Sequence, residues 1–318
     1  MTERSCIYPI TDLWKVLAKG GCFAGKNMKR ILLTIDVEDW FQVENFKRWI
    51  PYNSWDSQEL RVEKNTHKLL ELFDSIKVGA NFSKLPKATF FILGWIAERL
   101  PHLVREIHDR GHEIASHGFS HALSYNQSKD VLKDDLNKSK SLLEDLIGSS
   151  VVGYRAPSFS IDDDVLRVIE ESGFLYDSSY NSFSLHDRYG APSICSRRNQ
   201  EKHVVKISKY FYELPISNLQ YGRYILPWGG GGYFRILPFS LFRIGVKYIL
   251  ERSNAYLFYC HPWEFDPGQP RVDDASFLFK FRHYMNLKTA LNKLTGIINS
   301  FSACEFITCS QYLKNINH

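Results

Sequence analysis

The feature that most constrains this chain is a repeated alternation of strand-like and helix-like segments from Lys29 onward. "RILLTIDV" (30–37) is an apolar β-type run, and "VEKNTHKLLELFDSI" (62–76) has the apolar spacing of a helix. "KATFFIL" (87–93) is a second strand, followed by the helix "WIAERLPHLVREIHDRG" (95–111), which Gly111 ends. "HEIASH" (112–117) is a short third strand, and "SKDVLKDDLNKSKSLLEDLIG" (128–148) is an amphipathic helix closed by Gly148. "VVGYRAPSF", "FLYDSS", "FYELPIS" and "NAYLFYCHPWEF" read as further strands, with the acidic-ended helix "DDDVLRVIEESG" between the first two. Repeated β-then-α units imply a parallel sheet with helices outside, open or closed to a barrel. No internal repeat or low-complexity linker breaks the pattern, so one domain is expected over 28–318. Met28, just before "KRILLTIDVEDW", reads as a possible true start, which makes 1–27 a dispensable extension.

Composition narrows the classes. An apolar fraction of 44% and an aromatic fraction of 14% supply a core and argue against a disordered chain. The net charge of +5 is spread out, with no dense Lys/Arg run, so a nucleic-acid partner is not expected. Six cysteines lie scattered without a C-x-x-C pair, which argues against a zinc knuckle or a disulfide scaffold and favours reduced thiols. The first residues lack the apolar core of a signal peptide, and no window reaches the span of a transmembrane helix. A cytoplasmic setting is the expectation.

In parallel α/β folds chemistry collects at the C-terminal strand ends, and this chain places unusual polar residues there. "LLTIDVEDWF" pushes Asp36, Glu38 and Asp39 into an aromatic-rich edge, where desolvation needs compensation by a cation or arginine. "SHGFSH" sets His117 and His121 four apart, a spacing that a helical turn brings to one face. Two histidines plus one carboxylate, with open positions for water, form a common catalytic zinc set. Asp36 and Glu38 point to one side of the strand, so one can ligate while the other acts as base; Asp39 can replace Glu38 as ligand. Arg155 in "GYRAPSF" is the natural bidentate partner for the base, and a backbone N–H of Ser158 or Phe159 could face an oxyanion. His261, emerging from the apolar run "AYLFYC", suits a general acid, with Glu264, Asp266 or Asp177 as its ring partner. Two rivals stand beside this reading: two carboxylates cleaving a glycosidic bond without metal, and a non-catalytic glycan-binding protein.

With these stretches in hand, the chain resembles the polysaccharide deacetylase family, carbohydrate esterase family 4, from about Lys29 to Asp266. The resemblance implies a distorted (β/α) barrel that removes N-acetyl groups from amino sugars with Zn²⁺ or a similar divalent ion such as Co²⁺. "TIDVED" stands in the place of the family's first motif, which implies Asp36 as base. "HGFSH" implies His117 and His121 as metal ligands; Arg155 and Pro157 match the R-x-P motif that steers the base; "LFYCH" implies His261 as acid. The usual first motif has adjacent aspartates, whereas Val37 stands here, and an Asp-x-Asp subgroup favours Glu38 as ligand. "YRAPSFS", "LPWGGGGYFRILP", "HPWEFDP" and "FRHYMNL" resemble a bacterial subgroup associated with exopolysaccharide synthesis, which implies a polymer or lipid-linked glycan as partner.

The glycine run 229–232, framed by Trp228 and Tyr233, suggests a close backbone approach to a sugar at Gly230, with Trp228 as stacking platform; a flexible loop is the alternative. The amphipathic "LPFSLFRIGVKYILERS" (237–253) could lie on a membrane as a peripheral contact, although packing on the barrel is the commoner fate.

Overall fold

The computed structural model describes residues 28–183, 189–190, 192–193, 204–222 and 224–316. The expected 1–27 extension lies outside these residues. The strands are β1 (Arg30–Val37), β2 (Ala88–Ile92), β3 (Glu113–Ser116), β4 (Gly153–Tyr154), β5 (Tyr176–Asp177), β6 (Val205–Lys206), β7 (Tyr212–Glu213), β8 (Asn218–Tyr221), β9 (Tyr224–Pro227), β10 (Ala255–Cys260) and β11 (Glu305–Phe306). Nine of them form one curled sheet in the order β10-β1-β2-β3-β4-β5-β7-β6, with β11 beside the start of β1. All its pairings are parallel except β6 with β7. Parallel strands need helical crossovers, and these cover the outside, leaving a half-barrel: the distorted (β/α) barrel expected.

β1 is central because it is apolar on both faces. Its odd residues, Ile31, Leu33, Ile35 and Val37, join the large core beneath the helices. Its Leu32 joins Phe91, Ala115, Tyr176, Leu257 and Tyr259 on the concave side. Thr34 and Asp36 share that parity, so the pleat itself delivers Asp36 to the barrel mouth.

The helices begin and end on local signals. Asp162 Oδ1 accepts from Val165 N at 2.7 Å to start Asp163–Glu171. Lys129–Ile147 is capped by Ser128 and closed by Gly148 in the left-handed region. The segment 237–253 folds as the helix Phe239–Ser253 and packs Phe242, Val246, Ile249 and Leu250 into the core, the commoner of the two fates foreseen. The antiparallel β8–β9 hairpin was not expected from the alternation. Among the described residues no helix is long and apolar enough to cross a membrane.

Candidate active site

Segments far apart in sequence converge at the mouth. Asp36 Oδ1 accepts from Arg155 Nη1 at 2.7 Å. Arg155 is fully buried, which is tolerable only because every edge of its guanidinium is used. Nη1 also donates to Thr34 Oγ1 (2.8 Å), Nε to the Ser178 carbonyl (2.8 Å) and Nη2 to Ser178 Oγ (2.9 Å), and the plane lies over the Phe91 ring. The other Asp36 oxygen stands 3.8 Å from His261 Nε2.

Glu38 continues the line beyond β1. Its Oε2 lies 2.5 Å from His121 Nε2, and its Oε1 accepts from Trp263 Nε1 at 3.1 Å. Burial alone would raise this carboxyl, but His121, His261 and His117 around it outweigh burial and hold it well below the usual carboxylate range. His117 is pinned by its backbone N–H on the Ile92 carbonyl and by Nδ1, 2.8 Å from the Arg155 carbonyl. A carbonyl only accepts, so Nδ1 carries the proton and Nε2 presents its lone pair. Burial pushes this imidazole down to about 4, keeping it neutral at pH 7.

The two loop histidines do not sit on a helical turn, as the spacing suggested. They lie on an irregular loop in which Gly118 (φ +71°) and His121 (φ +55°) are left-handed. Asp135, from the helix Lys129–Ile147, shapes that loop by accepting from Phe119 N, Ser120 N and Ser120 Oγ. A side chain at Gly118 would meet Asp135 Oδ2 at 2.9 Å. The donor atoms of Glu38, His117 and His121 lie within 4.8 Å of one another, the one such group among the described residues. Two imidazoles, one of them with Nδ1 committed to a carbonyl, and one buried carboxylate suit a divalent ion of the zinc type.

His261 leaves the end of β10, and its Nδ1 lies 2.8 Å from Glu264 Oε1. Burial pushes its imidazole down, yet Glu38, Glu264 and Asp36 more than compensate and raise it to about 9. Glu264 is held in turn by buried Arg235, whose Nε donates to Oε2 at 2.6 Å. Of the partners foreseen for His261, Glu264 is the one in place. Asp177 instead accepts from Ser179 N and Oγ beside Glu213, and Asp266 pairs with Arg61 and Asn65.

Asp39, the alternative ligand, points elsewhere. Its Oδ1 accepts from Trp40 N, and its Oδ2 accepts from Arg61 N (2.6 Å) and Val62 N (2.8 Å), capping the helix Val62–Ser75. Those orphan donors explain a buried acid without a metal role. Burial raises its carboxyl to about 6 despite these bonds.

A cleft of about 140 Å³ opens over the group, lined among others by Asp36, Glu38, His117, His121, Ser158, Phe159, Tyr259 and His261. Pro157–Phe159 forms a tight turn with Ser158 and Phe159 at positive φ; the Phe159 N–H is spent on the Ala156 carbonyl. Of the two N–H groups foreseen for an oxyanion, that leaves Ser158. Trp228, Gly230 and Tyr233 are not in the cleft. Trp228 is buried, stacks on Phe242 and donates Nε1 to the Phe242 carbonyl. Gly230 (φ +137°) bridges to Tyr259, where a Cβ would lie 1.9 Å from the Tyr259 carbonyl oxygen, so the close approach is to the protein's own strand. Tyr233 packs its ring against Phe183.

Residues unassigned from sequence complete the site. Trp263 stacks between His261 (5.1 Å) and His283 (4.2 Å) while holding Glu38. Its place in "HPWEFD", two residues after the candidate acid, was the available signal. Ser179, whose hydroxyl accepts from Ala156 N, lies in the polar "DSS" strand end, whereas Arg235 and Asp135 carried no signal.

At the mouth of the half-barrel two histidines and a carboxylate that could hold a metal ion stand next to an Asp–Arg pair and a His–Glu pair. Comparison with known proteins narrows the class. Residues 55–176 match the polysaccharide deacetylase family model, and residues 178–314 match a domain of unknown function, DUF3473. Over that first stretch the chain is similar to the polysaccharide deacetylase family. It is 37% identical over 112 residues to the peptidoglycan deacetylase-like protein FGM2 of Gibberella zeae, covering 35% of this chain and 31% of that one. It is 32% identical over 88 residues to a peptidoglycan-N-acetylglucosamine deacetylase of Bacillus cereus, covering 28% of this chain and 41% of that one. The chain thus spans about a third to two fifths of the curated relatives it matches. A solved Mycobacterium smegmatis structure assigned as a polysaccharide deacetylase superposes over 92% of both chains with a TM-score of 0.59 at 18% identity, a likeness of fold.

Proposed function

We propose that the protein is a metal-dependent hydrolase that removes an N-acetyl group from an amino sugar of a glycan, acting as one catalytic domain from residue 28. The observation that carries this is the shared cleft: three donor atoms within 4.8 Å, an arginine-held aspartate and a glutamate-held histidine all open onto it. Glu38, His117 and His121 would hold the ion, Zn²⁺ by donor chemistry, which when bound supplies Lewis acidity toward the acyl carbonyl and the attacking water.

The remaining chemistry belongs to the chain. Arg155 fixes Asp36 Oδ1, leaving the second oxygen turned into the cleft to take a proton from water. The Ser158 N–H, presented by a left-handed turn, donates to the oxyanion. His261, whose ring is held through Nδ1 by Glu264, delivers a proton to the departing amine. Glu264 and Arg235 keep the ring aimed. The relatives' names support a glycan substrate; the subgroup resemblance supports exopolysaccharide assembly and a lipid-linked acceptor. Three buried free thiols, Cys260, Cys304 and Cys309, fit a reducing cytoplasmic setting.

The test is acetate release from N-acetylated oligosaccharides and lipid-linked sugars with and without Zn²⁺ or Co²⁺. Activity should vanish with chelator and return with metal. Asp36→Asn should abolish turnover while keeping one divalent ion per chain, and His117→Ala should lose the ion. Chelator-resistant cleavage, or full turnover by Asp36→Asn, would defeat the reading.

A further inference from the structure

The rim of the cleft carries an apolar face that the proposed chemistry does not use. The helix Phe277–Tyr284, "FLFKFRHY", turns Phe279 and His283 inward, four residues apart, where they meet Trp49 and the Phe46–Trp263 pair. The opposite side therefore faces out. Phe277 is 81% exposed, Leu278 59% and Phe281 42%, and Phe277 stacks on Phe281 across one helical turn. Single exposed apolar residues need no explanation, but three large ones on one two-turn helix form a continuous patch. Phe277 is the most exposed large apolar side chain among the described residues.

Two observations say what covers it. The first is charge. The helix and its lead-in carry Arg271, Lys280 and Arg282 against Asp273 and Asp274, and the adjoining loop carries Lys47 and Arg48 against Glu44. Cations flanking aromatic and leucine side chains match an anionic lipid surface, where rings enter the interface and lysine and arginine meet headgroups. The second is position. Arg282, on this same helix, and Glu44 and Asn45, on the same loop, line the catalytic cleft. The loop is locked to the helix by Phe46 against His283 and Tyr284.

We infer that Phe277, Leu278 and Phe281, with Lys47 and Arg48, form a docking face for an anionic bilayer, which sets the cleft mouth at the membrane surface. The anchoring element is this short helix and not Phe239–Ser253, which sends Phe242, Val246, Ile249 and Leu250 to the core and leaves Phe239 and Leu241 only 37% and 42% exposed, against 81% for Phe277. The consequence for substrate, presentation of a lipid-linked glycan at the bilayer, rests on the deacetylase reading; the docking itself does not.

The experiment is co-sedimentation of the full chain with vesicles of phosphatidylcholine plus phosphatidylglycerol and of phosphatidylcholine alone. The wild type should bind the mixed vesicles and release in high salt. The double variant F277A/L278A should lose about a hundredfold in partitioning, since each of the two buried side chains is worth roughly one decade. K47E/R48E should lose on the order of fivefold per cation, through a change that leaves the apolar face intact. Turnover of a soluble N-acetylated oligosaccharide by F277A/L278A should stay at the wild-type level, together with its melting temperature. Equal binding of wild type and F277A/L278A, or no preference for the anionic vesicles, overturns the proposal. A dimer in solution that F277A/L278A dissolves, without vesicle binding by the wild type, also overturns it in favour of a second copy. Loss of the soluble activity in every form would instead indict the catalytic reading.

Discussion

Replacing Trp263 by phenylalanine tests whether the candidate metal ligand is aimed by its surroundings. The indole is sandwiched between His261 and His283 and donates Nε1 to Glu38 Oε1 at 3.1 Å. Phenylalanine keeps the sandwich and removes the donor. A hydrogen bond to a buried carboxylate is worth about 1.5–3 kcal/mol, and that sets the upper bound on what pre-orientation of Glu38 contributes. Partners that orient metal ligands typically change affinity by about tenfold to a hundredfold, which is the same range on the free-energy scale. The assay is competitive titration of the metal-free protein with Zn²⁺ against a fluorescent chelator, repeated with Co²⁺ so that its visible spectrum reports the ligand field. The expected result is weaker binding by about one to two decades, with an altered Co²⁺ spectrum and a small change in melting temperature. Wild-type affinity and an unchanged spectrum in W263F would refute the argument, because Glu38 would then need no help to meet the ion.

Three further outcomes follow from the geometry. Asp39→Ala should leave the bound metal unchanged and cost about 1–2 kcal/mol in urea unfolding, because the side chain caps a helix; loss of the ion would restore it as a ligand. Gly230→Ala should abolish soluble expression or lower the melting temperature sharply, since the added carbon would sit 1.9 Å from a strand carbonyl; a wild-type melt would contradict that packing. His112 is buried, and burial lowers its imidazole to about 4. Its unfolded form takes a proton near 6.5, so stability holds above that pH and falls as pH drops from 6.5 toward 4, by about 3 kcal/mol in total. His112→Gln should flatten this acid limb in urea titrations between those pH values; an unchanged slope would assign the acid sensitivity to other groups.

Much of the site could be read from residues whose type conflicts with their surroundings. Acids after the apolar β1 run, an arginine before proline and a histidine at the end of "AYLFYC" all announced groups in need of partners. The alternation of strand and helix located them at one end of a parallel sheet. Pairwise choices were less legible because they depend on side-chain direction. Glu38 and Asp39 are adjacent, and only the position of the Val62–Ser75 helix start decides that Asp39 turns to its N–H groups. Trp228 looked like an exposed platform because glycines follow it, yet two of them, Gly230 and Gly231, let the chain cross Tyr259 closely. The supports of the site, Arg235 for Glu264 and Asp135 for the histidine loop, sit on helices whose local sequence gives no hint of a buried charge.

The placement of β1 between β2 and β10 has a consequence for synthesis. Glu38 and Trp263 are 225 positions apart, and Arg30–Ile35 must pair with Ala255–Cys260 before His261 reaches the mouth. The stretch between β1 and β10 must therefore leave the ribosome before the groups of the candidate site can meet, and one flank of β1 waits unpaired until then. The vulnerable interval, when a chaperone matters most, is the delay between the emergence of β1 and the arrival of its late neighbour β10.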